Sequence, residues 1–144
     1  MITEAGFAGA KAALFCGDAL LACLRDTYPG LPWPGMWDLP GGGRDGDETP
    51  EACLLREVEE EFGLRLTVDR LTFRVVQPAL LNPTEWSVFF AGHITRDEVS
   101  QVRFGSEGQG WALMPIDDFL NHPMAIPGLK SRVRLALSAL AVPQ

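Results

Sequence analysis

Apolar residues recur along this chain in two rhythms. From Ala10 to Phe15 and from Ala19 to Arg25 they run almost unbroken, and Cys16-Gly17-Asp18 between them has the composition of a tight turn. That pattern predicts a hairpin of two buried strands. Asp26 to Pro34, DTYPGLPWP, is set with prolines and glycines that favour a loop, and Met36 to Leu39 then offers a short extended segment. Further strands are predicted at Arg65 to Val76, Trp86 to His93 and Gly110 to Met114. The intervening QPALLNPTE, Gln77 to Glu85, carries two prolines and reads as a loop near a substrate.

The second rhythm is helical. Thr49 can cap a first turn, Pro50 suits the first helical position and Gly63 the residue past the last, so a helix is predicted from Pro50 to Phe62. Leu54, Leu55, Val58 and Phe62 fall on its buried arc. Leu129, Val133, Ala136, Leu137 and Leu140 repeat at helical spacing near the end of the chain, which predicts a packed helix with Lys130, Arg132 and Arg134 turned outward. Strands with one helix among them and one after them imply an α/β fold, a sheet sandwiched by helices.

Length and composition fit this picture. With 144 residues, 47% of them hydrophobic, the chain is expected to form a single domain over 1–144. A net charge of −7 with no basic run argues against a nucleic-acid polymer as partner, because counterion release would have few cations to drive it. Cys16, Cys23 and Cys53 are odd in number and lack metal-ligand spacing, so they read as reduced core residues of a cytoplasmic protein. Glu4 precedes any basic residue and Gly17-Asp18 breaks the first apolar run, so the start reads as mature protein, with no stretch of membrane-spanning length.

The helix at Pro50 also holds the chemistry. Glu57, Glu60 and Glu61 stand at i, i+3 and i+4 near its C-terminal end, so their carboxylates are expected to converge on one face with Arg56 along its edge. Like charges at that spacing repel, and the helix dipole disfavours anions there, so a cation should offset them. Magnesium suits such a cluster because it takes few protein carboxylates and keeps water or phosphate in its other positions. A calcium loop around Asp45, Asp47 and Glu48 is the competing reading, but their order about Gly46 departs from the EF-hand pattern.

From Gly42 to Leu64 the chain reads GGRDGDETPEACLLREVEEEFGL. Gly42, Glu48, Arg56, Glu57, Val58, Glu60, Glu61, Gly63 and Leu64 fill every fixed position of the Nudix box, and the segment resembles the Nudix hydrolases. The one small departure is Gly46-Asp47-Glu48, where many relatives place glycine directly before the glutamate. The resemblance implies an α/β/α sandwich around a mixed sheet, and water attack on phosphorus in the diphosphate of a nucleoside di- or triphosphate or a related derivative. Magnesium, with manganese as a substitute, would be the cofactor. The partner would be a small phosphorylated substrate, and the protein a monomer or homodimer. An ADP-ribose or nucleotide-sugar hydrolase, or a nucleotide-sensing domain without turnover, stand as alternatives, beside a non-catalytic interaction module.

By the same resemblance Glu57 and Glu61 are the first metal ligands, Glu60 supports them, and the Gly41 carbonyl reaches the metal. One of these carboxylates can instead act as the base. Arg56 pairs with the box carboxylates and Glu48 braces it, while Gly41 and Gly42 let the backbone pass close to phosphates. Glu107, in GSEGQGW, matches the place of an additional catalytic or metal-binding glutamate, and Arg25 that of a substrate-phosphate contact. Trp33, Trp37, Trp86 and Phe73 are candidate surfaces for stacking a base, Trp86 foremost. His122 to Leu129, HPMAIPGL, offers no amide of the sort that reads 8-oxoguanine, although Asn121 is close. Pro78, fourteen residues after Leu64, is a near match to a proline of ADP-ribose hydrolases.

Overall fold

A computed structural model describes residues 6–141. Glu4, on which part of the reading of the N-terminal segment rests, lies outside the described residues. The first strand, β1 (Phe7–Cys16), turns at Gly17, whose φ of 60° glycine adopts without strain, into β2 (Ala19–Leu24). Two short strands, β3 (Trp37–Asp38) and β4 (Gly41–Gly43), lead to helix α1 (Pro50–Phe62). There follow β5 (Leu71–Pro78), β6 (Trp86–His93), the short helix α2 (Arg96–Ser100), β7 (Gly110–Pro115), the short helix α3 (Ile116–Asn121) and the final helix α4 (Pro127–Leu140).

The described residues form one seven-stranded sheet whose main path runs β3-β2-β1-β6-β5, with β4 paired to β1 and β7 to β2. β1 and β6 are parallel along nearly their full length and the other pairs are antiparallel, so the sheet is mixed. β1 is the hub. Its first half pairs with the glycines of β4, at Gly9 with Gly43 and Lys11 with Gly41, and its end pairs with β2. The glycine loop is thereby stitched to the centre of the sheet.

Alternation along β1 divides the core in two. Ala12 and Leu14 face Leu54, Val58 and Phe62 of α1, while Ala13 and Phe15 face the side on which Leu129, Val133 and Ala136 of α4 pack. The α/β/α layering follows from those two faces. α1 begins and ends where Thr49 and Gly63 predict: the Thr49 side chain accepts from the Ala52 N–H at 3.1 Å, and Gly63, at φ 69°, donates to the Glu59 carbonyl. Both outward faces of the sheet are covered, and no described helix is long and apolar enough to cross a membrane.

Three expectations need correction. The strand predicted from Arg65 is irregular up to a 3-10 turn at Val68–Arg70, and pairing begins only at Leu71, because Leu64 and Leu66 are spent covering the end of the α1 core. α2 and α3 were not foreseen; each is too short for an apolar period to show. Arg132 does not face outward. It is 6% exposed, turned into the protein beside Leu129 and Val133.

Candidate active site

Arg56 organises the acidic helix. Its guanidinium donates to both oxygens of Glu48, at 2.7 and 3.0 Å, to Glu57 Oε1 at 2.7 Å and to the Gly43 carbonyl at 2.9 Å, with a longer bond to Glu60. A planar five-donor fork is suited to joining that many acceptors. Burial works against the Arg56 charge, but the Glu48 bond outweighs it, and the pKa rises. The same bond holds Glu48 below the usual carboxylate range.

Two carboxylates turn from this hub toward the glycine loop. Glu61 Oε1 accepts the Gly41 N–H at 2.9 Å. The Glu57 carboxylate lies so close over Gly42 that a Cβ on that residue would stand 2.3 Å from Oε2. It is the missing side chain of Gly42 that lets the Glu57 carboxylate sit there. Burial raises the pKa of Glu57 against the pull of Arg56, and pushes that of Glu61 up to about 8. Each is a carboxylate taken from water with no cation to compensate fully.

That donor set fits a hard divalent cation. Glu57 Oε2 and Glu61 Oε2 accept no hydrogen bond from the protein, since only the Oε1 atoms are engaged. Among the described residues no group of three or more His, Cys, Asp or Glu side chains gathers closely enough to hold an ion alone. The remaining positions would then fall to a backbone oxygen, water and phosphate, as magnesium prefers. Glu60 does not converge with the other two as the helical spacing suggested: Arg56 holds it at the exposed edge, its side chain 59% accessible.

Glu107 reaches the same neighbourhood by another route. Arg103 N–H donates to the Phe62 carbonyl and Gly105 N–H to that of Glu61, so the loop after α2 satisfies the open end of α1. Beyond Glu107, Gly108 N–H donates to Asp26 and Gln109 to the Leu24 and Arg25 carbonyls. Glu107 is thus clipped between α1 and the end of β2, beside Glu61 in a cleft of about 230 Å³.

On the other side of the glycine loop is a cavity of about 380 Å³. Asp38, 3% exposed, forms the wall between the two. Its carboxylate takes Lys11 Nζ at 3.0 Å and Arg25 Nη1 at 2.9 Å, with the Leu39 N–H as a third donor. Two cations on one anion leave a net positive edge beside Gly42 and Gly43, suited to phosphate. Burial lowers the pKa of Lys11, yet Asp38 and the neighbouring Cys23 and Glu61 together outweigh it and the value is raised. Lys11 and Asp38 were missed from sequence, although a lysine within AGAKAALFC and an aspartate between Trp37 and Leu39 are charges in apolar company, which is the signal that could have found them.

Of the aromatic candidates only Trp33 lines this cavity, held there at φ 52°, a conformation rare for a bulky residue. Trp37 packs edge-on to His122, and Phe73 joins the α4 core. Trp86 sits in the sheet opposite Phe7 and Pro78 and lines neither cavity.

The NUDIX domain model matches residues 9–134. The chain belongs to the Nudix family. A MutT-like protein of Streptomyces ambofaciens is 58% identical over 38 residues, 26% of this chain and 25% of that protein. The nucleoside triphosphatase NudI of Escherichia coli is 27% identical over 120 residues, covering 78% of this chain and 84% of its own length. A MutT protein of Methanosarcina mazei superposes with a TM-score of 0.71 over 98% of this chain and 100% of its own, at 19% identity, which shows the shared Nudix fold. In several curated relatives the chain spans only a quarter to a third of the protein's length.

Proposed function

We propose that this Nudix domain hydrolyses a diphosphate linkage in a nucleoside di- or triphosphate, or a related nucleoside-diphosphate derivative, with magnesium or manganese bound at Glu57 and Glu61. The observation that supports it most is the pair of half-free carboxylates pressed against Gly41 and Gly42 at the rim of a cavity edged by Lys11 and Arg25. Phosphoryl transfer asks for charge neutralisation and alignment more than for a covalent nucleophile, and these are the two things the site supplies. The nucleoside triphosphatase name of the E. coli relative agrees with that substrate class.

In this reading Glu57 and Glu61 hold the ion, with the Gly41 carbonyl, Glu60 and Glu107 as further oxygen donors once substrate draws the groups together. The metal, when bound, polarises the phosphoryl oxygens and lowers the pKa of water. Arg56 and Glu48 fix the Glu57 rotamer, while Lys11 and Arg25 bind phosphate oxygens. Trp33, which lines the larger cavity, replaces Trp86 as the aromatic candidate for the base. The reaction is expected in the cytoplasm, on small soluble nucleotides.

The test is magnesium-dependent product formation across nucleoside triphosphates, oxidised nucleotides, ADP-ribose and nucleotide sugars, with Glu61→Gln beside the wild type. Turnover of one class that falls at least a hundredfold in the variant is expected, on the usual scale for losing one charge-stabilising group. Nucleotide binding with no product at any metal concentration would favour the sensing domain instead.

A further inference from the structure

Arg132 is a buried cation with no anion. Its side chain projects from α4 toward the cavity of about 380 Å³, where Nη2 donates to the Pro78 carbonyl at 2.6 Å and Nη1 to Ser87 Oγ at 3.3 Å. Both acceptors are neutral, and no described carboxylate pairs with it; burial alone lowers its pKa. A guanidinium has five N–H donors. The two bonds leave the others, Nε–H among them, without a protein acceptor. No fully buried side-chain nitrogen or oxygen among the described residues lacks a partner, so the free Nε of Arg132 is reached by solvent. A buried, uncompensated guanidinium is costly to keep, and it is held in one place by two well-separated anchors.

The surroundings say what it is for. Leu80, Ile126 and Leu129 give the cavity apolar walls and Trp33 an aromatic one, and Lys11 and Arg25 stand at the phosphate edge. A flat apolar group with a hydrogen-bonding rim, carried on a phosphate chain, suits such a space. We infer that Arg132 reads the base, donating to the adjacent O6 and N7 acceptors of an unoxidised 6-oxopurine nucleotide. Glu85 lines the same cavity from the 79–85 loop, where Asn82 Nδ2 donates to its carboxylate, and it supplies an acceptor for the N1–H that guanosine and inosine share.

The chemistry discriminates in two directions. Adenine presents a 6-amino donor to Arg132 and an N1 acceptor to Glu85, so both pairings turn repulsive. An 8-oxo group places a hydrogen on N7, which removes one of the two acceptors and sets donor against donor. This selection rests on the reading of the site as a nucleotide-phosphate site, but it concerns binding and does not require turnover.

The experiment is direct binding by calorimetry of guanosine, inosine, adenosine, 8-oxoguanosine and 7-deazaguanosine 5′-monophosphates to the wild-type protein and to Arg132→Lys. Guanosine and inosine monophosphates are expected to bind at least about tenfold more tightly than the adenosine, 8-oxo and 7-deaza compounds. In Arg132→Lys, checked for an unchanged circular dichroism spectrum, that preference should collapse to within about threefold, since a lysine cannot make the bidentate contact. Should the variant fail to fold, the analogue series on the wild type decides alone. Equal binding of adenosine and guanosine, preference for the 8-oxo base, or no binding of any of them overturns the inference. Guanosine preference without hydrolysis under any metal would uphold it while sinking the hydrolase.

Discussion

Gly42 shows at the residue scale how one missing side chain builds a site. Its φ is not what requires glycine; the Glu57 carboxylate occupies the space a methyl would need. The atoms a methyl would meet are the far end of a flexible side chain, so the fold can yield by moving Glu57. Gly42→Ala is therefore expected to keep its unfolding free energy within about 1 kcal/mol of wild type while losing on the order of a hundredfold in kcat, the usual consequence of displacing a reacting group by an ångström. Denaturant titration and steady-state kinetics on one preparation check both halves; a variant as active as wild type would show that the Glu57 position is immaterial. The contact was invisible in the sequence, because a GGG run reads as a turn whether or not a carboxylate lies over it.

Among elements, α1 and the 101–109 segment act as one unit. Arg103 and Gly105 close the carbonyl end of the helix, and a Cβ at Gly105 would meet the Glu60 carbonyl oxygen at 2.5 Å. That oxygen belongs to helix backbone and cannot swing away. Gly105→Ala should cost about 1–3 kcal/mol in equilibrium unfolding by overpacking, whereas Gly110→Ala, with nothing near its Cβ position, should stay within about 0.5 kcal/mol. Equal effects of the two would mean that the loop does not seat on the helix. The boundaries of α1 were legible because caps and period agreed at both ends. α2 was not, although Thr95 and Glu98 form a capping box, because a helix of one and a half turns shows the signal without the run that gives it weight.

For the whole molecule, apolar strand runs and two amphipathic helices placed the layers correctly, and the box brought Glu57 and Glu61, though not Glu60, to the glycine loop. What the sequence could not show is which charges share a wall. Lys11 on β1, Asp38 on β3 and Arg25 just past the end of β2 meet only after the sheet forms, and Arg132 lies on a helix whose polar positions look outward until the cavity beneath them is seen. Local pattern reports the period of a helix but not its rotation against a pocket. The same limit explains why Trp33, Trp37, Trp86 and Phe73 read alike as base-stacking surfaces, although of the four Trp33 alone lines the larger cavity.

The central claim is that Glu57 and Glu61 hold a divalent ion against a diphosphate. With its pKa pushed up to about 8 by burial, Glu61 is mostly protonated at pH 7 before metal arrives, and a metal must displace that proton. The decisive measurement is calorimetric titration of manganese into the protein with a methylene-bridged, non-hydrolysable nucleotide, repeated at pH 7 in buffers of different ionisation enthalpy. Release of a substantial fraction of one proton per ion, fading above pH 9 and absent in Glu61→Gln, is the result expected. Manganese binding with no proton release, or release that survives in Glu61→Gln, would contradict it.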